Sequence, residues 1–160
     1  MENPAAGRAD PGILAGMSFE DLPETWATQP LTDPLLAADV VDLVVGHADR
    51  MEGCLGFLFL DDDLRLAQPC VLGEVPPDGD PWEMRDSLRS VFGSLPFAGV
   101  VFARGRDGTV LVTDSDRAWH EVVIDVCRRA DLRLVGSFLA TPSTVRPFPA
   151  PLTAVEHLAS

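Results

Sequence analysis

The residues able to do chemistry in this chain are few and unevenly placed. The tightest grouping is Thr113-Asp-Ser-Asp116, followed four residues later by His120. If this stretch opens a helix, Asp116 and His120 share one face. A carboxylate and an imidazole so placed can hold half of a metal site, which needs a third donor to become tight. The same Thr-x-x-Asp also works as a capping box. In that role Thr113 accepts from a first-turn backbone N–H, and Asp116 reaches back with its charge at the favourable helix end. Just upstream, Arg104-Gly-Arg106-Asp-Gly108 offers two guanidiniums in a turn-rich stretch. They could meet a small anion, stand solvated in a turn, or pair with Asp116, which falls at the margin of the helix's apolar face.

The remaining candidates read as structural. Asp61-Asp62-Asp63 lacks the alternating carboxylates and closing Glu of a calcium loop, so it reads as a solvated hairpin tip. His47 and His157 lie on other segments, and nothing in the sequence brings them to His120. Cys54, Cys70 and Cys127 have no metal-ligand spacing and read as small buried hydrophobes of a reducing compartment. Cys54 and Cys70 fall on adjacent expected strands, so they could approach one another. There is no Gly-rich phosphate loop and no Gly-x-Ser nucleophile elbow, and Ser137 sits inside an expected strand.

Elements that must position these residues follow from periodicity and punctuation. Asp33-Pro34 starts a helix over about 34–49, with Leu35, Leu36, Val40, Leu43 and Val44 at helical spacing. Cys54 to Leu60 is a continuous apolar run that suits a strand covered on both faces. Leu64 to Leu72 is a second strand, and Pro69 marks it as an edge or a bulge. Asp80-Pro81 opens a helix that ends near Gly93. Phe97 to Ala103 is a third strand, residues 114–130 a helix, and Leu132 to Thr141 a fourth strand. A short fifth strand at Val145 to Phe148 completes the order α-β-β-α-β-α-β(-β). This is an α/β domain with a mixed β-sheet flanked by helices. Residues 1–33 read as an acidic, Pro-rich tail, 34–149 as the domain and 150–160 as a short C-terminal tail. The patch Ile13 to Phe19 and the side chain of Trp26 are apolar enough to dock on something.

Composition narrows the class of partner. The chain has 160 residues, a net charge of −13, and 25 acidic against 12 basic residues. All of the basic residues are arginine. Such a surface repels phosphate backbones and anionic lipid, which argues against nucleic acid and against a membrane as partners. No apolar run reaches the roughly 18 residues of a membrane span, and Met1 to Asp10 lacks the features of a secretory signal. A cytoplasmic location is the expectation.

Several stretches together resemble a known family. Leu55-Gly-Phe-Leu-Phe-Leu-Asp61 with Arg65-Leu-Ala, Phe97 to Ala103, Thr113-Asp-Ser-Asp-Arg-Ala-Trp-His120, and Arg129-Ala-Asp-Leu-Arg-Leu-Val-Gly136 are similar to the JAB/MPN metalloprotease fold. The similarity is to its RadC-like branch, spans residues 55–140, and lies in hydrophobic pattern and spacing rather than identity. The resemblance implies a zinc site built from His-x-His, a spacer and Ser-x-x-Asp, with a Glu near the first strand as general base. Placing that aspartate on Asp116 puts the serine on Thr113 and the two histidines on Ala103 and Gly105. The general base falls near Gly53, with Glu52 one residue away and, on a strand, facing the opposite side.

With methyl and hydrogen at the histidine positions, no cofactor and no metal are expected at that site. What the resemblance then implies is a catalytically inactive scaffold or regulatory domain that binds another protein, including a second copy of itself. Two alternatives remain open at this stage. One is a metal-dependent hydrolase with zinc held by Asp116, His120 and a further donor. The other is a small-ligand sensor in which Arg104 or Arg106 meets an anionic group in the vacated cleft.

Overall fold

The computed structural model describes residues 28–75 and 80–149. Helix α1 (Pro34–Val44) starts as the sequence dictates, with the Asp33 carboxylate accepting from the Leu35 N–H at 3.0 Å and proline in the first turn. The expected single helix over 34–49 is instead two. The chain is extended at Val45 and Gly46 and restarts as α2 (His47–Glu52). Gly46 is a poor helix former, and the carbonyls freed by the break find another donor. Arg50, buried at 5% exposure, donates to Val45 O at 2.8 Å, Asp42 O at 2.9 Å and Thr141 O at 2.9 Å, and pairs with the Asp42 carboxylate.

Helix α2 ends at Gly53, whose φ of 91° lies in the region that favours glycine. A Cβ there would also sit 2.5 Å from the Val75 carbonyl oxygen. The chain then enters β1 (Cys54–Leu60), buried at every residue as its apolar run requires. The hairpin tip uses its first carboxylate internally: Asp61 Oδ1 accepts from the backbone N–H groups of Asp63 and Arg65. Strand β2 (Leu66–Gly73) carries Pro69 and lies at the sheet edge, with a register irregularity opposite Phe59 and Leu60. Asp80 caps a single 3-10 turn (Pro81–Met84) through the Trp82 N–H, and that turn leads into α3 (Arg85–Gly93).

Strand β3 (Gly99–Gly105), helix α4 (Asp114–Arg129) and strand β4 (Arg133–Thr141) form a parallel crossover unit, and β5 (Thr144–Pro147) closes the sheet. The order is β2-β1-β3-β4-β5, with β3 and β4 parallel and all other neighbours antiparallel. The result is a mixed α/β domain with one five-stranded sheet between two helical layers. Beneath α1 and α2 pack Val40, Val41, Val45, Leu58, Val101 and Phe138. Against α3 and α4 pack Leu55, Phe57, Phe92, Phe102, Trp119 and Val122. Phe57 stands edge-on to Phe92 at 5.1 Å and stacks on Phe102 at 5.7 Å, tying α3 to the sheet centre.

Two expectations change at this level. Cys54 lies opposite Gly73 and packs under α1, whereas Cys70 lies opposite Phe57 and packs on the other face, so the strand register keeps these thiols apart. Leu31, placed in the tail by its sequence context, is 1% exposed, and its N–H donates to Leu64 O at 2.8 Å. The packed body therefore begins before residue 34. Trp26, the Ile13–Phe19 patch and residues 150–160 lie outside the described residues. Among the described residues no helix is long and apolar enough to cross a membrane.

Gly105 supplies a test of the packing. A Cβ at this position would overlap the Cys54 sulfur and press on Val45. Gly105→Ala is expected to cost about 1–3 kcal/mol by overpacking. Adding Cys54→Ala should restore most of that loss, measured as urea-unfolding free energies of the two single variants and the double variant. Additive losses would contradict the contact.

Candidate functional site

The chemistry-bearing residues meet where β3 ends and α4 begins. Thr113 is the N-cap of α4, and its hydroxyl accepts from the Asp116 N–H at 3.1 Å. Asp116 Oδ2 in turn accepts from the Thr113 N–H at 2.9 Å. The expected capping box is therefore formed. Asp116 is not marginal, however, but fully buried.

The carboxylate of Asp116 also has the cationic partner its position requires. Arg106 grips it side-on, with Nε 2.9 Å from Oδ1 and Nη2 2.8 Å from Oδ2. Such bidentate geometry is the strong form of a guanidinium–carboxylate pair. Arg106 also donates to the carbonyls of Asp107 and Leu111, both at 2.9 Å. One side chain thus braces both ends of the 107–112 connection against α4. Burial pushes the Asp116 carboxyl up, but the Arg106 hydrogen bonds, the Thr113 N–H and the nearby positive charge outweigh it and hold the group below its ordinary value of 3.8.

Arg104 departs from expectation. The sequence places it in a solvated turn, yet β3 runs on through Gly105 and carries Arg104 into the interior at 0% exposure. Its Nη1 donates to Cys54 O at 3.3 Å, and its Nε lies 3.9 Å from Asp116 Oδ1. Burial pushes its pKa down, and the Asp116 charge opposes that shift. The buried Cys54 thiol nearby is pushed up to about 11 and stays neutral.

The positions that the family spacing assigns to histidine do not face Asp116. Ala103 packs in the layer under α1, and a Cβ on Gly105 would point at Cys54, Val45 and Arg50 in that same layer. The side chains that stand beside Asp116 are Arg104 and Arg106, one register step later. The general-base position meets a similar obstacle. Gly53 has no room for a side chain, and Glu52 is the exposed last residue of α2 rather than a strand residue.

His120 follows Asp116 by one helical turn but is engaged elsewhere. Its ring lies 4.6 Å from that of Phe148 and 6.5 Å from that of Phe102. Burial lowers its pKa below the usual 6.5. His47 opens α2 on the opposite face of the sheet and is exposed. Among the described residues no group of three or more His, Cys, Asp or Glu side chains is placed to hold a metal ion. Arg50 and Asp125 are buried charges that sequence reasoning missed; the one signal for Arg50 is the glycine at position 46, which breaks the helix and frees carbonyls it serves. A scan against protein-family models found no match to this chain, and a search of curated proteins found none either.

Two stability measurements test this geometry. Asp116→Asn leaves the buried Arg104 and the partly buried Arg106 guanidiniums without a counter-charge and should lower unfolding free energy by about 3–5 kcal/mol; an unchanged urea midpoint would contradict the pairing. Because the native carboxyl is depressed, its contribution is fully present above its ordinary value near 3.8 and fades as pH falls below it. His120 acts in a higher window. Its native pKa is lowered, so the unfolded chain binds the proton more readily and stability falls as pH drops below about 6.5. His120→Phe keeps a ring against Phe148 and should remove that part of the melting-temperature profile.

Proposed function

We propose that this chain is a non-catalytic, JAB/MPN-like domain that acts by binding another protein. The observation that carries the reading is the closure of the site by an internal ion pair. Both oxygens of Asp116 are held by Arg106 and by the Thr113 N–H, with Arg104 buried alongside. A zinc ion at Asp116 and His120 would have to displace Arg106 and then sit beside two guanidiniums. The hydrolase alternative is therefore the weaker reading.

The same ion pair gives the region a different role. By bracing the 107–112 connection, Arg106 presents Leu111 at 74% exposure on a held loop. A rigid apolar anchor of this kind suits protein contact, because little freedom is lost on docking. The partner class is protein, with a second copy of the chain as the first candidate. A net charge of −13 disfavours nucleic acid and anionic membranes, and a cytoplasmic setting fits the free cysteines. The Ile13–Phe19 patch and Trp26 are the proposed docking segment.

Metal analysis and light scattering of the untagged full chain test this reading. After exposure to zinc and dialysis, bound metal should be far below one ion per chain; one retained zinc per chain would overturn the proposal in favour of the rearranged hydrolase site. The scattering mass should exceed the 17.2 kDa of one chain and fall to that of one chain when residues 1–27 are removed, a cut that spares Leu31. A full chain that runs as a monomer would exclude the second copy as partner.

A further inference from the structure

Among the described residues, three buried side-chain polar atoms have no hydrogen-bond partner: Arg104 Nε, Ser115 Oγ and Trp119 Nε1. Nothing in the sequence links them, yet all three belong to the β3–α4 junction. Ser115 and Trp119 stand one turn apart on one face of α4. The Nε of Arg104 lies 3.9 Å from Asp116, whose place in the chain falls between them. Arg104 shares a strand position with Leu55, whose side chain packs in the same layer as Trp119.

The orphaned atoms have one chemistry in common. A guanidinium N–H and an indole N–H can only donate, and a serine hydroxyl can do so by rotating. What they lack is an acceptor. The charges point the same way. Two guanidiniums, Arg104 and Arg106, face one carboxylate, and Asp116 is the only acid within ion-pair distance of either among the described residues. That leaves one positive charge uncompensated at the N-terminus of a 16-residue helix, where the backbone adds further positive potential. Buried charges are costly unless paired.

We propose that Arg104 Nε, Ser115 Oγ and Trp119 Nε1 form a site for one small oxyanion, the carboxylate or phosphate group of a ligand, between the end of β3 and the first turns of α4. Arg104 is fully buried, so the site admits a single small group rather than a whole nucleotide. The Ser115 hydroxyl is covered, but the residue as a whole is only half-buried, so the cover is thinner on its side of the junction than over Arg104 and Trp119. The site goes beyond the protein-binding reading and stands without it.

The indole N–H of Trp119 is a direct reporter. The chain has three tryptophans, and Trp119→Phe assigns the signal in a nitrogen-15 spectrum of the full chain. Inorganic phosphate and acetate are titrated separately at constant ionic strength, balanced with chloride. The expected result is a saturable shift of the Trp119 indole signal with at least one of the two, while the Trp82 signal stays in place; whichever ion responds identifies the class. Ser115→Ala should weaken that binding about tenfold, the loss of one hydrogen bond to a charged group. Arg104→Gln should abolish it in protein whose amide spectrum shows the native fold. The proposal fails if neither ion moves the Trp119 signal. It fails equally if chloride alone moves it as far, or if the affinity is unchanged in Ser115→Ala.

Discussion

A carboxylate removed from water must be compensated where it stands, and Asp116 is compensated from three parts of the chain at once. Thr113 reaches it from the N-cap of α4, Arg106 from the connection and Arg104 from inside β3. These contacts fix where the parallel crossover begins. They set the last residues of β3, the path of the 107–112 connection and the first turn of α4. Because the pair is bidentate and buried, its geometry is specific as well as strong. The same contacts that lock the junction occupy both oxygens of Asp116.

The sheet separates two chemistries. On the α3/α4 face, aromatic rings and the Asp116 ion pair fill the interior. On the α1/α2 face, small residues let helices approach closely, and Gly105 sits against Cys54 and Val45 with no room for a side chain. Side chains alternate across a strand, so a shift of one residue decides which of these environments a group enters. Ala103 and Gly105 go to the packed face; Arg104 and Arg106 go to the charged junction.

Much of this arrangement is legible in the amino-acid order. The β1 run announces its own burial, Pro69 announces an edge, and Thr113-x-x-Asp116 announces a helix start that also holds an acid. Less visible is anything decided by partners distant in sequence. Arg104 looks like a turn residue because arginine is usually solvated; only the placement of Asp116 twelve residues later makes its burial tolerable. The break between α1 and α2 is hidden for the same reason. Gly46 is its one local sign, and the side chain that satisfies the interrupted turn, Arg50, also depends on Thr141 at the far end of the domain. Trp119 and Ser115 read as ordinary helix residues, since an unmet donor cannot be seen until its surroundings are known.

Arg50 has a further consequence for how the molecule is made. Its guanidinium joins the ends of the first two helices to a carbonyl of the fourth strand, 91 residues downstream. During synthesis from the N-terminus, those helices emerge early but lack this clasp until nearly the whole domain has left the ribosome. The first of these layers to be translated is therefore among the last to be secured: its apolar underside can settle on Leu58, Leu60 and Val101 beforehand, but its tie to the far strand waits for residue 141.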